Sequence, residues 1–152
     1  PGACLRRFRI PAPGQNTQAR TIASETLCRE AHEFPRINPV YYGRGDYSYV
    51  YGCGLASPSS DGFYNQLIKM NLHSGTTAFW REDGCYPGEP VFTPQPGGQQ
   101  EDEGIVLSLV LDTRVMASFL LALDGGTFRE VARMYAPLRI PFGFHSQFYA
   151  AG

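Results

Sequence analysis

Apolar residues in this chain alternate with polar or small ones over short runs, and glycine or proline separates one run from the next. Alternation with a period of two is typical of half-buried β-strands, whereas amphipathic helices place apolar residues three and four apart. Only residues 128–134 could pass for a helix, and this run is too short and too closely flanked by breakers to favour one. The strands predicted from this pattern are 5–10, 18–23, 47–54, 63–71, 76–81, 89–93, 105–111, 118–123 and 128–135.

Turn-forming residues mark the connections between these strands. Residues 27–38 have neither alternation nor a helical period, so we expect an irregular connection there. The acidic run Glu101-Asp102-Glu103 lacks the spacing of an EF-hand and is predicted to be part of a solvated loop. The other predicted connections are a turn at 11–16, a surface loop at 58–62, a tight turn at Gly75 and a turn at 124–127.

The strands fall into groups of four, and each group occupies about 40 to 50 residues, which is the blade length of a β-propeller. A β-sandwich would give the same alternation. The pattern therefore predicts an all-β fold and leaves the two architectures open.

Charge gives little support to a nucleic-acid partner. The chain has 13 lysines and arginines against 14 acidic residues, Lys69 is the only lysine, and no basic run is present. Such a balance produces no strong field toward polyanions or anionic membranes. No apolar run is long enough for a membrane-spanning helix. We therefore expect a cytoplasmic protein, with a plastid location or peripheral membrane contact as alternatives.

The four cysteines are Cys4, Cys28, Cys53 and Cys85. They show neither the paired spacing of a zinc site nor the density of a secreted disulfide scaffold. We predict free thiols.

His145 is the candidate for chemistry near the end of the chain. It lies between aromatic residues, after Pro141, which ends a strand, and Gly143, which permits a tight turn. An isolated histidine in such a position is more often packed than catalytic. The other two histidines have simpler explanations, because His73 falls in a predicted turn and should be solvated, and His32 is interpreted as structural.

Glu89 strengthens the case for His145. It lies between two prolines at the entrance to an apolar strand, where a carboxylate can be fixed in one direction. Metal-bound imidazoles commonly pass their other ring N–H to such a carboxylate. Glu33, considered alone, is more simply a surface or strand-end carboxylate.

Ordered motifs along nearly the whole chain resemble the C-terminal part of the carotenoid cleavage oxygenases. This family includes carotene oxygenases, apocarotenoid and lignostilbene dioxygenases and the retinoid isomerase of the visual cycle. Because the motifs follow in the right order, the resemblance is more specific than any one of them. The motifs are Glu33-Phe34-Pro35-Arg36-Ile37-Asn38, Tyr49-Val50-Tyr51-Gly52, 67–72, 80–84, 89–97, 101–108, 118–124, 130–133 and Pro141-Phe142-Gly143-Phe144-His145.

The resemblance implies a seven-bladed β-propeller, with residues 1–152 as the C-terminal blades of a single domain. The chain starts at Pro1 and its first residues already read as a strand, so we expect a fragment. In the family, four histidines from different blades bind Fe(II), and glutamates orient three of them. By resemblance, His145 is the last iron ligand, Glu89 holds it, and Glu33 holds a ligand that lies upstream.

The function implied is an Fe(II)-dependent dioxygenase that cleaves a carbon–carbon double bond of a carotenoid, apocarotenoid or stilbene-like substrate with O₂. Phe34 and Phe144 adjoin matched site residues and are candidates for an apolar substrate lining, although core packing explains them equally well. The alternative from another class is a non-catalytic propeller that binds an apolar ligand or a protein partner. Retinoid isomerisation uses the same metal site and stays open.

Three positions depart from the family pattern. Ser146 follows the last histidine, where glycine is usual, Gly88 replaces a small polar residue, and Asp124-Gly125-Gly126 replaces an Asp-Ala-Lys turn. Ser146 lies closest to the implied metal. A serine fits there only if the backbone does not need a positive φ.

We predict that residues 1–152, expressed alone, aggregate and hold iron weakly, because a cut propeller exposes unpaired strand edges and half a core. Size-exclusion chromatography and thermal unfolding check this prediction. A monomeric fragment that melts cooperatively would contradict it.

Overall fold

The computed structural model describes residues 4–10, 22–56 and 62–149. Within these ranges the regular structure is β except for one 3-10 turn, Pro39–Tyr41, and no helix is long and apolar enough to cross a membrane. The strands are β1 Leu5–Phe8, β2 Ser24–Cys28, β3 Glu33–Arg36, β4 Tyr49–Gly54, β5 Gln66–Asn71, β6 Thr77–Trp80, β7 Cys85–Pro87, β8 Val91–Pro94, β9 Gly104–Asp112, β10 Ala117–Asp124 and β11 Glu130–Tyr135. The predicted all-β fold is confirmed.

Two antiparallel meanders form most of the structure. The first has the order β3-β4-β5-β6. The second has the order β11-β10-β9-β7, and β8 also pairs with β9. Because β7 and β8 pair with opposite ends of β9, they act as two halves of one interrupted strand, and each sheet is in effect a four-stranded unit. Strands β1 and β2 form a separate antiparallel pair.

A single apolar core joins the two meanders. Tyr51 of β4 is fully buried and stacks on Phe92 of β8, with ring centroids 5.1 Å apart. Offset stacking of this kind adds to the stabilisation from buried apolar area. The cluster draws on both sheets and comprises Tyr51, Cys53, Leu67, Trp80, Cys85, Phe92, Val106, Val110, Phe119, Leu121, Leu123 and Phe128.

Lys69, the only lysine, is buried and connects the two sheets electrostatically. Its Nζ lies 2.6 Å from Asp102 Oδ2 and donates to the carbonyl oxygens of Gly125 and Gly126, at 2.7 and 2.8 Å. Position 125 requires glycine, because an added Cβ would lie 2.4 Å from the Asp102 carbonyl oxygen. Glycine at 125, where the family usually has alanine, therefore permits the close approach of this turn to Asp102, the partner of Lys69.

Several predicted elements differ from the structure. The strand predicted at 18–23 is wrong for residues 22–23, since β2 begins at Ser24, and residues 18–21 lie outside the described ranges. The irregular connection predicted at 27–38 contains the end of β2 and all of β3. The strand predicted at 89–93 begins at Val91, and β7 was not predicted.

The acidic run is not a freely solvated loop, so that prediction is wrong. The Glu101 carboxylate accepts hydrogen bonds from the backbone N–H groups of Ser48 and Tyr49, at 2.7 to 2.8 Å, and Asp102 pairs with Lys69. The turn at Gly75, with φ of +71°, is confirmed. At 124–127 the Asp124 carboxylate accepts from the Thr127 N–H, which confirms that turn. The predicted turn at 11–16 and residues 58–61 of the predicted loop lie outside the described residues.

We expect Lys69→Met to lower the free energy of unfolding by about 3 kcal/mol, because it leaves a mostly buried carboxylate and two carbonyls without their donor. Urea unfolding of the full-length protein measures the loss. Arg44→Met is the control, since the Arg44–Asp46 pair is exposed and its removal should leave the midpoint unchanged. Equal midpoints for wild type and Lys69→Met would contradict this account.

Candidate metal centre

His145 lies in a segment, residues 136–149, that follows β11 and has no regular secondary structure. The expected strand that ends at Pro141 is therefore wrong, since β11 already ends at Tyr135. Two contacts upstream of the histidine hold this segment against the sheets. Ser118 Oγ accepts from the Ile140 N–H at 3.0 Å and donates to the Ile140 carbonyl at 2.8 Å. The Phe142 ring stacks on Phe63, with centroids 4.7 Å apart. The His145 side chain itself is 66% exposed.

Glu89 occupies the interruption between β7 and β8. The preceding Gly88 donates its N–H to the Leu109 carbonyl, and its own carbonyl accepts from Ser108 Oγ at 2.8 Å and from the Cys53 thiol at 3.2 Å. These bonds fix the peptide that leads into Glu89. Pro90 has no N–H to continue the ladder, and the Glu89 side chain is only 4% exposed.

The structure brings Glu89 and His145 together. His145 Nδ1 lies 3.3 Å from Glu89 Oε1, and the Ser146 N–H donates to Glu89 Oε2 at 2.6 Å. Burial alone would raise the pKa of Glu89, but the Arg36 guanidinium, the Ser146 N–H and the imidazole together lower it. An ionised carboxylate only accepts, so Nδ1 is the donor in this contact, and Nε2 of a neutral ring would keep its lone pair.

Arg36 completes this contact and was not predicted from the sequence. Its Nε donates to Glu89 Oε1 and its Nη2 to Oε2, both at 2.9 Å, and Nη2 also donates to the Ser146 carbonyl at 2.7 Å. A bidentate pair of this geometry is among the stronger charge-assisted hydrogen bonds. The guanidinium therefore joins β3 of the first sheet to Glu89 of the second and to the segment that carries His145.

The serine after His145 causes no backbone strain. Ser146 is not among the described residues with positive φ, so the glycine that is usual in the family is not required. Both of its backbone polar groups are used, the N–H by Glu89 and the carbonyl by Arg36.

Glu33 is the first residue of β3 and pairs with Cys53 of β4. Its side chain is half-buried, and none of the described residues donates a hydrogen bond to its carboxylate. Burial, with the charges of Glu89 and Glu33, raises the pKa of the Cys53 thiol to about 12. Both glutamates thus lie close enough to Cys53 to affect its ionisation, although no direct contact joins Glu33 to His145.

An apolar cavity of about 210 Å³ lies next to the segment that carries His145, and its lining includes Gly143 and Phe144 but not His145 itself. Phe34 and Phe144, the candidate lining residues, both border it, and their ring centroids are 5.0 Å apart and 5.6 and 4.8 Å from the His145 ring. Phe34 has a φ of +52°, a conformation that is uncommon for a bulky residue. Other residues around the cavity are Phe63, Tyr64, Tyr86, Leu109, Leu111 and Phe142.

The remaining histidines and cysteines do not form a second site. His73 is exposed in its turn. His32 is buried with no hydrogen-bond partner for either ring nitrogen among the described residues, burial lowers its pKa, and an added Cβ at Gly52 would lie 2.3 Å from its Nε2. This neutral, tightly packed ring fits the structural interpretation. All four cysteines are free thiols, as predicted.

Glu82, Cys85 and Asp112 also lie close enough together to suggest a metal site. The Arg114 guanidinium bonds to all three of them, at 2.8 and 2.9 Å to Asp112. Burial raises the pKa of the Cys85 thiol to about 11, so it stays protonated at neutral pH. The cluster is an ion-pair network whose cation is an arginine.

The fold and this site together describe propeller-type sheets with a histidine–carboxylate pair beside an aromatic cavity. The family model described as retinal pigment epithelial membrane protein matches residues 1–150. The chain therefore belongs to the carotenoid cleavage oxygenase family.

Individual relatives agree with this assignment. The chain is 43% identical over 117 residues to the mitochondrial carotenoid-cleaving dioxygenase of Mustela putorius furo, a match that covers 76% of this chain and 21% of that protein. It is 38% identical over 146 residues to the chloroplastic carotenoid cleavage dioxygenase 8 homolog B of Oryza sativa subsp. japonica, which covers 95% and 25% respectively. The chain thus spans about a quarter of the length of these relatives.

Solved structures decide between the propeller and the sandwich. A mutant of the Synechocystis apocarotenoid oxygenase matches with a TM-score of 0.82 and 28% identity, covering 93% of this chain and 29% of that one. The cobalt-substituted form of that oxygenase matches with a TM-score of 0.76 and 29% identity, covering 82% and 26%. The two meanders are consequently blades of a partial β-propeller.

We expect Ser146→Gly to leave stability unchanged or to lower it by up to about 1 kcal/mol, because glycine adds only unfolded-state entropy at a position that needs no positive φ. Thermal unfolding of the full-length protein measures the sign. A Ser146→Gly variant more stable than wild type would mean that the backbone at 146 is strained by serine, and would contradict the geometry described above.

Proposed function

We propose that this chain is the C-terminal part of a single-domain β-propeller enzyme that cleaves a carbon–carbon double bond of a carotenoid or apocarotenoid with O₂ at a mononuclear Fe(II) centre. The observation that carries the proposal is the contact of His145 with the buried Glu89 carboxylate, next to the two aromatic rings, Phe34 and Phe144, that line an apolar cavity. The relatives named as carotenoid-cleaving dioxygenases support the reaction class.

This chain would supply one of the ligands of such a centre, and the chemistry of His145 fits that role. Imidazole is a good ligand for Fe(II), and the exposed His145 ring has its Nδ1 bonded to a carboxylate, which leaves Nε2 for a metal. Glu33 would hold a second ligand from the part of the protein upstream of this chain. When bound, Fe(II) would supply an open coordination position for O₂.

The residues of this chain would have two kinds of task in the reaction, one at the metal ligand and one at the substrate. Glu89 orients the His145 ring and fixes its tautomer, while remaining outside the coordination sphere. Phe34 and Phe144 line the apolar side of the site, exclude water and can stabilise cationic character along a polyene through their ring faces. Stilbene-like substrates present similar aromatic and alkene surfaces and belong to the same proposal.

The compartment and membrane contact are parts of the same proposal. The relatives cited above are named as mitochondrial and chloroplastic proteins. A plastid or mitochondrial location, with peripheral membrane contact to obtain an apolar substrate, suits a carotenoid-cleaving enzyme better than the cytoplasm expected from the sequence.

In the full-length protein, we expect His145→Ala to lower iron content from about one atom per chain to a small fraction and to abolish polyene cleavage, because it removes a ligand of a single mononuclear site. Metal analysis and loss of polyene absorbance provide the two measurements. His73→Ala is the matched control, because that histidine is exposed in a turn, and it should retain both properties.

Two results would contradict the proposal. A wild-type protein that binds no iron and cleaves no polyene would favour a non-catalytic propeller. Full iron content and activity in His145→Ala would show that His145 is not a ligand.

A further inference from the structure

The segment that carries His145 has little regular structure to hold it. Residues 136–149 form no strand, and several of their large side chains are exposed, including Leu138 at 64% and Phe144 at 70%. A metal ligand must nevertheless be positioned within a fraction of an ångström. The polar contacts at Ser146 are therefore of special interest, because they lie one residue from the histidine.

Two side chains of opposite charge bind the Ser146 backbone from its two sides. Glu89 accepts the N–H at 2.6 Å and Arg36 donates to the carbonyl at 2.7 Å. The same two side chains form a bidentate pair with each other. The three groups thus form a closed ring of charge-assisted hydrogen bonds next to His145: the Glu89 carboxylate, the Arg36 guanidinium and the Ser146 backbone.

Arg36 comes from a distant part of the chain and from the other sheet. It lies at the end of β3, where the pairing with β4 shifts register between Glu33 and Arg36, next to the positive φ of Phe34. This irregular strand contributes a carboxylate at one end and a guanidinium at the other. Its partners Glu89 and Ser146 are 53 and 110 positions away.

We propose that Arg36 is a positioning residue of the metal centre, which fixes both the rotamer of Glu89 and the backbone of Ser146 and thereby sets the direction of the His145 ring. This inference rests on the proposed function and extends it to a residue that touches neither metal nor substrate. Without the guanidinium, the described residues leave Glu89 only the Ser146 N–H and the imidazole as donors, and the Ser146 carbonyl loses its side-chain donor.

Co(II) binding to the full-length protein tests the role of Arg36 without relying on turnover. Arg36→Gln should weaken Co(II) affinity about 10- to 100-fold, the range seen when partners of metal ligands are removed. The d–d absorption bands of the bound Co(II), which report ligand geometry, should change as well. Arg44→Gln is the matched control, because Arg44 forms an exposed ion pair with Asp46. This variant should keep the wild-type Co(II) affinity and absorption bands.

Arg36→Lys separates positioning from charge. Lysine keeps the positive charge but donates from a single nitrogen, so it cannot bind both Glu89 oxygens in the planar fork that arginine forms. We expect an affinity between those of wild type and Arg36→Gln. If Arg36→Gln fails to fold, wild-type affinity and bands in Arg36→Lys would overturn the role of the fork.

The outcomes also distinguish this inference from the proposed function. A wild-type protein that binds no Co(II) would overturn the metal site itself. Tight wild-type binding together with unchanged affinity and unchanged bands in Arg36→Gln would overturn only the role of Arg36.

Discussion

A carboxylate buried between two β-sheets is stable in its charged form only when donors surround it, and Glu89 depends on three of them. The guanidinium of Arg36 comes from the first sheet, and the N–H of Ser146 and the imidazole of His145 come from the segment after β11. One buried charge therefore links the two sheets to that segment. This meeting point is where we propose the metal centre.

The candidate site residues Glu89 and Arg36 both lie at irregular points of a strand, one in each sheet. In the second sheet, the break between β7 and β8 releases Glu89 from strand pairing, while Gly88 is held by Ser108 and Cys53. In the first, the register shift in β3 separates Glu33 from Arg36. In a continuous strand, successive side chains would alternate strictly between the two faces of the sheet. A break or register shift in the strand pairing lets neighbouring side chains point in other directions, and the candidate site residues lie at two such irregularities.

Long, regular strands could be predicted from the sequence, because their alternation is a local property. β9 and β10 differ from their predicted bounds by a single residue at each end. β3 and β7 could not be predicted from the sequence. β3 contains a proline and a residue with positive φ, and β7 has only three residues. The contact between His145 and Glu89 could be predicted, because metal-binding imidazoles commonly pass their other ring N–H to a carboxylate and because the family resemblance assigns Glu89 to His145.

Arg36 and the acidic run show the limit of local reasoning. A single arginine in an irregular stretch carries no signal of its own, and its partners are brought near it only by the sheet topology. Glu101 and Asp102 look solvated in the sequence because the Ser48 N–H and Lys69 lie far upstream. The partners of such charged residues are distant in the sequence and can be identified only once the fold is known.

The central claim is that His145 donates Nε2 to a metal while Glu89 holds Nδ1. Anomalous diffraction at the iron absorption edge, from crystals of the full-length protein, tests it most directly. The account predicts one anomalous peak about 2 Å from His145 Nε2, with Nδ1 still bonded to Glu89. A peak bound by other residues, with the His145 ring turned away from it, would contradict the account.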